Sequence, residues 1–224
     1  MYFLMQTSKL PDISYLLLDM DGTILDLHFD NYFWNHYLHQ RYAEIKLVPL
    51  KEAKLYIHKV LAAEYGSLNW YCTDYWSKKF GLNIIELKKE LSHLIQFRDG
   101  SLRFLKALTK TSINATIVTN AHRNVIELKN TLTRLDDWVP DIISSHDFGL
   151  PKERPEFWEL IIKSRNLDIC RTMVVDDNIS CLEAARASGI AYQISIIKPD
   201  SKQNNQFTDK FRAIEDLNSL IVGQ

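Results

Sequence analysis

The sequence predicts an α/β protein: a parallel β-sheet core covered by helices on both faces, with an all-α domain inserted after its first strand. Three observations predict it. Tyr15-Leu16-Leu17-Leu18 is a short apolar run ending at Asp19 and followed by Gly22, the pattern of a buried parallel strand entering a loop. From about residue 99 onward, apolar runs alternate with segments of helical spacing, the order that builds a parallel sheet through crossover helices. Between these two regions, the 71 residues of 28–98 contain no convincing strand.

In chain order, the first strand is 15–18. The insert reads as helices over 31–44, 49–65, 73–80 and 84–96, and Asn83 followed three residues later by Glu86 makes a capping box for the last. Further strands are expected at 115–118, 141–144, 172–175 and 190–197, with helices over 122–135, 155–165 and 179–187. Pro155 suits a first helical turn, and Gly189 follows the end of the last helix. The expected organisation is a core of 1–27 with 99–224, and a helical cap of 28–98 over the strand ends. The stretch 201–209 reads as a polar loop.

The bulk numbers narrow the class. Apolar residues make up 46% of the 224, charged residues 25%, and the formal net charge is -1. No overall field draws the chain to a nucleic-acid polymer or an anionic membrane, so an anion must be captured by a local cluster of donors and cations. Cys72, Cys170 and Cys181 are too few and too scattered for a disulfide framework or a closed zinc site, and read as inert core thiols of a reduced compartment. The first ten residues are too briefly apolar for a signal peptide, and no run approaches the about 20 residues that span a bilayer. A soluble, cytoplasmic protein is expected; nothing in the sequence defines an oligomer interface.

In an open α/β sheet, ligands bind beyond the carboxyl ends of the strands. After the first strand come Asp19, Asp21, Gly22 and Thr23; after the second, Thr119 and Asn120; after the third, by a loop, Lys152; after the fourth, Asp176 and Asp177. Carboxylates this crowded repel one another unless a cation joins them, and hard oxygen ligands suit Mg2+. Lys152 and the Thr119 hydroxyl would bind the remaining oxygens of a phosphate. That is the equipment of phosphoryl transfer: positioning, charge stabilisation and an in-line nucleophile. A lone Asp-x-Asp is common in turns; here it follows an apolar strand and is joined by three more strand-end motifs in order.

Asp19-Met20-Asp21-Gly22-Thr23, Val118-Thr119-Asn120, Lys152 and Val175-Asp176-Asp177-Asn178 resemble the four ordered motifs of the haloacid dehalogenase superfamily, and the helical insert resembles its C1-type cap. The resemblance implies a Rossmann-like core, Mg2+ as cofactor, and an aspartyl-phosphate intermediate on Asp19. By the same resemblance Asp21 is the general acid and base and lends the metal its backbone carbonyl. Thr119, Asn120 and Lys152 hold phosphate, Asp177 is the direct metal ligand, and Asp176 acts on the metal through water. Members that cleave carbon–halogen bonds lack the second acid of the first motif, and Asp21 is present.

Leu25-Asp26-Leu27 leading into Asp30-Asn31-Tyr32-Phe33-Trp34, the stretch Leu68-Asn69-Trp70-Tyr71-Cys72-Thr73-Asp74-Tyr75-Trp76-Ser77, Thr119-Asn120-Ala121-His122 and Phe148-Gly149-Leu150-Pro151-Lys152-Glu153 resemble bacterial 5'-nucleotidases specific for GMP and IMP. That likeness implies a purine nucleoside 5'-monophosphate as substrate. The insert holds 14 of the 25 aromatic residues. Asn31, Trp34, Trp70, Tyr71, Tyr75 and Trp76 are therefore candidate base contacts, with Asn69 and Asp74 as further polar groups, although aromatics on helices more often build core. His28, His36, His122 and His146 show no metal-ligand spacing and read as surface or loop residues. The alternatives are another small-molecule phosphatase, a sugar-phosphate mutase on the same core, and a non-catalytic nucleotide-binding relative.

Overall fold

The computed structural model describes residues 11–220; the expectation for the N-terminal stretch 1–10 lies outside the described residues. Six strands form one sheet: β1 (Tyr15–Leu18), β2 (Asn114–Thr119), β3 (Ile142–Ser144), β4 (Thr172–Asp176), β5 (Tyr192–Ile196) and β6 (Arg212–Ile214). Their spatial order is β3-β2-β1-β4-β5-β6, and every pairing is parallel. β1 lies at the centre, with Leu18 level with Ile117 on one side and Val175 on the other. The chain winds away from β1 in opposite directions through β2 and β4, which opens a crevice beyond their carboxyl ends.

Both faces of the sheet are covered, which is why β1 reads as an unbroken apolar run instead of an alternating one. Leu16 and Leu18 pack on one side with Phe104, Leu105, Ile117 and Val175. Leu17 packs on the other with Phe157, Trp158, Val174 and Leu182. The covering helices are α6 (Ser101–Leu108), α7 (Arg123–Thr133), α8 (Pro155–Arg165, with its proline in the first turn) and α9 (Ile179–Ala187). α6 and β6 were not individually expected. β6 has three residues, of which only Ile214 is buried, too little pattern for a strand.

Between β1 and α6 the regular structure is helical: α1 (His28–Tyr32), α2 (Leu38–Lys46), α3 (Leu50–Ala62), α4 (Thr73–Phe80) and α5 (Ile84–Lys89). α1 and α2 are joined by a π-helical segment, Phe33–Tyr37, so the helix starts three residues before the expected 31 and widens in its middle. α5 ends earlier than expected, and a 3-10 turn at Ser92–Leu94 follows. Only half of the capping box forms: Asn83 Oδ1 accepts from the Glu86 amide at 3.3 Å, while the Glu86 carboxylate turns to Lys89. The insert has its own core of Phe29, Phe33, Trp76, Phe80, Ile84 and Leu87.

The two crossings between core and insert are stapled side by side. The Asp26 amide donates to Gln96 O (2.9 Å) and the Arg98 amide to Ile24 O (3.0 Å), making a short antiparallel bridge between Leu25 and Phe97. Buried Asp26 accepts from the His28 and Ser201 amides and from Gln96 Nε2, and the Arg98 guanidinium donates to the carbonyls of Thr23, Lys198 and Glu215. Among the described residues, no helix is long and apolar enough to cross a membrane.

Candidate active site

A cavity of about 340 Å³ opens where the carboxyl ends of β1, β2 and β4 face the insert. Asp19, Asp21, Thr119, Asn120, Lys152, Asp176 and Asp177 all line it, so the strand-end residues expected to act together do share one chamber. Asp19 continues β1, its amide held by Val175 O at 2.9 Å. The chain then turns tightly: the Ile24 and Leu25 amides both donate to Met20 O, and Gly22 takes a φ of 92°. A Cβ on Gly22 would lie 2.6 Å from Asp177 Cγ, so this glycine supplies both a left-handed turn and room for a carboxylate. Gly22→Ala is therefore expected to destabilise the fold by about 1–3 kcal/mol from backbone strain alone. It should also weaken divalent-cation binding by displacing Asp177; a calorimetric titration with unchanged affinity would contradict this.

Lys152 is the hub of the floor. Its Nζ lies 2.5 Å from Asp19 Oδ1, 2.8 Å from Asp176 Oδ2 and 2.8 Å from Val118 O, with 1% of the residue exposed. The lysine is placed by its own backbone: its amide donates to Asn120 Oδ1 (2.9 Å) and its carbonyl accepts from Trp158 Nε1 (2.7 Å). Asn120 also donates to Glu153, which accepts from Asn178 and the Tyr71 hydroxyl. Thr119 Oγ1 accepts from the Ala121 amide at 3.0 Å, leaving its hydroxyl proton free to donate. Asn120 does not cap α7; His122 occupies that position, and its side chain forms no cap hydrogen bond.

Three functional-site residues escaped the sequence reading. Asp21 Oδ1 lies 2.6 Å from Lys129 Nζ; the same ammonium lies 2.5 Å from Asp30 Oδ2, and Asp30 Oδ1 accepts from Lys88 Nζ at 2.6 Å. This chain of alternating charge runs from the core through α7 into α1 and α5 of the insert. Both lysines are buried, at 2% and 1% exposure. Lys88 also faces the rings of Phe29 and Phe33, 4.8 and 4.5 Å from their centroids. The available signal was positional: Lys129 follows Val125 and Ile126 on the buried stripe of α7, where an unpaired lysine has no place.

Among the described residues, five carboxylates line the cavity (Asp19, Asp21, Asp30, Asp176 and Asp177), and the ammonium groups paired with them are three, those of Lys88, Lys129 and Lys152. The shortfall of two positive charges is what one divalent cation supplies. The titration behaviour agrees. Burial pushes the Asp19 carboxyl up to about 7, the Asp176 and Asp21 charges add to this, and Lys152 opposes it. Burial, then Asp19 and Asp176, raises Asp177 well above the usual carboxylate range. Burial likewise raises Asp21 against the pull of Lys129. In Asp30, burial is outweighed by Lys129 and Lys88, which hold the group below that range.

Carboxylate oxygens of Asp19, Asp176 and Asp177 lie within 4.8 Å of one another, and Asp19 Oδ2 is buried without a hydrogen-bond partner among the described residues. An orphaned carboxylate oxygen beside two further acids fits a hard cation such as Mg2+. Because the folded value for Asp19 lies above its ordinary 3.8, its contribution to stability is complete below 3.8 and is lost as pH rises through about 7. Mg2+ holds the ionised forms, so the gain in Tm from adding Mg2+ is expected to be larger at pH 8 than at pH 5. Melting curves showing an equal or larger gain at pH 5 would refute that assignment.

The insert side of the cavity carries Asn31, Trp34, Trp70 and Tyr71. Two other candidate base contacts are not brought there. Trp76 is wholly buried in the insert, stacked on Phe80 with its ring N–H given to Trp70 O at 2.9 Å. Tyr75 directs its hydroxyl to Glu64 at 2.6 Å. Asn69 and Asp74 are likewise spent on Glu64 and Asn124, outside the lining. Trp70 and Tyr71 sit in the 3-10 turn Leu68–Tyr71, whereas Tyr75 and Trp76 lie on α4 and pack with the insert core.

A parallel sheet with a switch-point crevice, an acid-rich rim and a buried lysine on the leading aspartate places the chain among α/β proteins that bind an anionic ligand beyond the strand ends. The sequence profile described as haloacid dehalogenase-like hydrolase matches residues 16–194, and the chain belongs to that family. It is 34% identical over 210 residues to the GMP/IMP nucleotidase YrfG of Escherichia coli (strain K12), covering 94% of this chain and 95% of that one. The protein of the same name from Shigella flexneri matches to the same extent. The crystal structure of a HAD phosphatase from Thermococcus onnurineus superposes with a TM-score of 0.78 at 22% identity, covering 94% of this chain and 98% of that one. At that identity the superposition speaks for the fold alone.

Proposed function

We propose that this hydrolase is a Mg2+-dependent phosphatase that releases phosphate from purine nucleoside 5'-monophosphates, GMP and IMP foremost, with 28–98 acting as a cap over the core. The observation that carries the reading is the pair Asp19 and Asp21. Both face one cavity, the first bound by Lys152, the second by Lys129, with aromatic rings on the opposite wall. Thr119, Asn120 and Lys152 bind the phosphoryl oxygens. Asp19 attacks phosphorus; its new bond forms as the bond to the ester oxygen breaks, and that oxygen takes the proton of Asp21. The raised Asp21 carboxyl suits it to hold that proton. Water then attacks the aspartyl phosphate, Asp21 recovers a proton from it, and the Asp19–phosphorus bond breaks to release inorganic phosphate.

Asp19, Asp177 and the Asp21 backbone carbonyl would hold Mg2+, which when bound neutralises charge on the phosphoryl oxygens. Asp176 is the weaker direct ligand, because its Oδ2 lies 2.8 Å from Lys152 and its Oδ1 accepts from the Asn178 amide at 2.9 Å. The purine preference is supported by Trp34, Trp70 and Tyr71 on the cavity wall and by the name of the Escherichia coli relative. A panel of 5'-mononucleotides and sugar phosphates, assayed with and without Mg2+, tests the whole reading. Phosphate release from GMP and IMP well above that from sugar phosphates, and only with Mg2+, is expected. Preference for a sugar phosphate overturns the substrate, isomerisation without net phosphate release points to a mutase, and tight nucleotide binding without turnover points to a non-catalytic relative.

A further inference from the structure

The spacing of Cys72, His122 and His146 in the chain suggests no shared purpose, yet the fold brings the three side chains together. Cys72 immediately precedes α4 in the insert, His122 immediately precedes α7, and His146 lies in the 3-10 turn Ser145–Asp147 after β3. A ligand atom from each lies within 4.8 Å of the other two. The two imidazoles meet edge to face with centroids 4.8 Å apart. His122 Nδ1 is engaged by Asn124 Oδ1 at 3.0 Å and Thr73 Oγ1 at 3.1 Å. Among the described residues, His146 Nε2 is buried without a hydrogen-bond partner, while Cys72 Sγ accepts from the Tyr75 amide at 3.4 Å.

The two histidine-bearing loops are held in place independently of any ligand. Ser144 Oγ donates to Ala121 O at 2.7 Å, and the Arg123 guanidinium pairs with Asp147 and donates to Ile142 O. One thiol and two imidazoles form a soft-to-borderline donor set, unlike the all-oxygen set around Asp19. Zinc takes sulfur at about 2.3 Å and imidazole nitrogen at about 2.1 Å, so small side-chain rotations bring all three atoms onto one ion.

We propose that Cys72, His122 and His146 form a second metal site, for a thiophilic divalent ion of the Zn2+ class, which clamps the helical insert to the core. Its three protein ligands leave a fourth position for water, and one ligand comes from the insert while two come from the core. The bound ion reinforces a seam already made by Thr73 and Asp74 of the insert with Asn124 of the core, at 2.7 and 3.2 Å.

Cobalt(II) titration of the full chain in excess Mg2+ tests the site, because Mg2+ saturates the carboxylates and leaves thiolates alone. A thiolate-to-cobalt charge-transfer band saturating at one ion per chain is expected. Cys72→Ser should abolish it, and Cys170→Ser, at an exposed cysteine, should retain it. Zn2+ should raise the Tm of the parent and not of Cys72→Ser, whose Mg2+-dependent turnover should equal the parent's. A missing band, or a band that survives Cys72→Ser, overturns the proposal; both outcomes are independent of the identity of the phosphate ester.

Discussion

Replacing Asp19 by asparagine is expected to lower kcat by about 10^4-fold or more, the scale seen when a nucleophile is removed from a working catalytic group. The amide oxygen can still accept from Lys152, so the geometry around Nζ, now 2.5 Å from Asp19 Oδ1, should persist. Stability should move the other way. The ionised form of Asp19 is disfavoured by burial and by the Asp176 and Asp21 charges, against the pull of Lys152. Removing the charge relieves that cost, so in cation-free buffer at pH 8 the variant should melt at or above the parent's Tm. Steady-state rates on GMP together with thermal melts check both halves. Turnover equal to the parent's would end the covalent mechanism, whatever the melts show.

The second large effect is expected at Lys129, which no motif marks. Lys129→Met removes the ammonium that contacts both Asp21 and Asp30, at 2.6 and 2.5 Å, and leaves buried Asp21 without its direct partner while Asp30 keeps Lys88. Breaking a buried pair in this way costs about 3–5 kcal/mol. The double variant Lys129→Met with Asp21→Asn should recover much of that stability, since Asp21 is the group left without a direct partner while Asp30 keeps Lys88. It should not recover turnover. General acid–base catalysis contributes on the order of 10^2–10^4-fold, and an Asp21 carboxyl no longer held by Lys129 forfeits part of it, so kcat on a nucleotide should fall about 10^2-fold. The aryl ester p-nitrophenyl phosphate, whose leaving group departs without a proton, should be affected far less. Urea melts and paired rates on the two substrates separate these effects. Equal losses on both esters would show that Lys129 serves stability alone.

The Asp21–Lys129–Asp30–Lys88 chain also gives the insert a physical reason to matter for chemistry. Asp30 and Lys88 belong to helices of the insert, yet their charges reach the carboxylate proposed to move the proton. Any displacement of α1 from α7 changes the field at Asp21. The π-helical widening at Phe33–Tyr37 lies in the same helical run, one turn beyond Asp30, where Asn31, Trp34 and Asn35 line the cavity. The aromatic wall of the cavity and the Asp30 carboxylate that shares Lys129 with Asp21 are thus mounted on one helical run.

Much of this was readable from the chain alone, and for a definite reason. A strand buried on both faces must be apolar throughout, so Leu16 to Leu18 and Val174 to Val175 announce themselves. Chemistry placed at strand ends sits at the boundary where the apolar run stops, so Asp19, Thr119 and Asp176 are marked by position as well as by type. Gly22 is legible for a similar reason: a left-handed turn beside a carboxylate admits little else. Asn31, Trp34, Trp70 and Tyr71 were half legible, since composition gathers aromatics in the insert but cannot say which face of a helix each one takes; Tyr75 and Trp76 fell on the wrong side.

What only the tertiary structure decided are the relations between distant helices. Lys88, Lys129 and Asp30 come from three helices, and although its place on α7 marks Lys129 as buried, none of the three shows by itself which charge it meets. Cys72, His122 and His146 converge from insert and core across separations that no local period records. Local pattern encodes whether a side chain is buried, because burial is a property of one element's face. Which charges and ligands meet is set by how whole elements dock, and that information is spread over the contacts of the entire core.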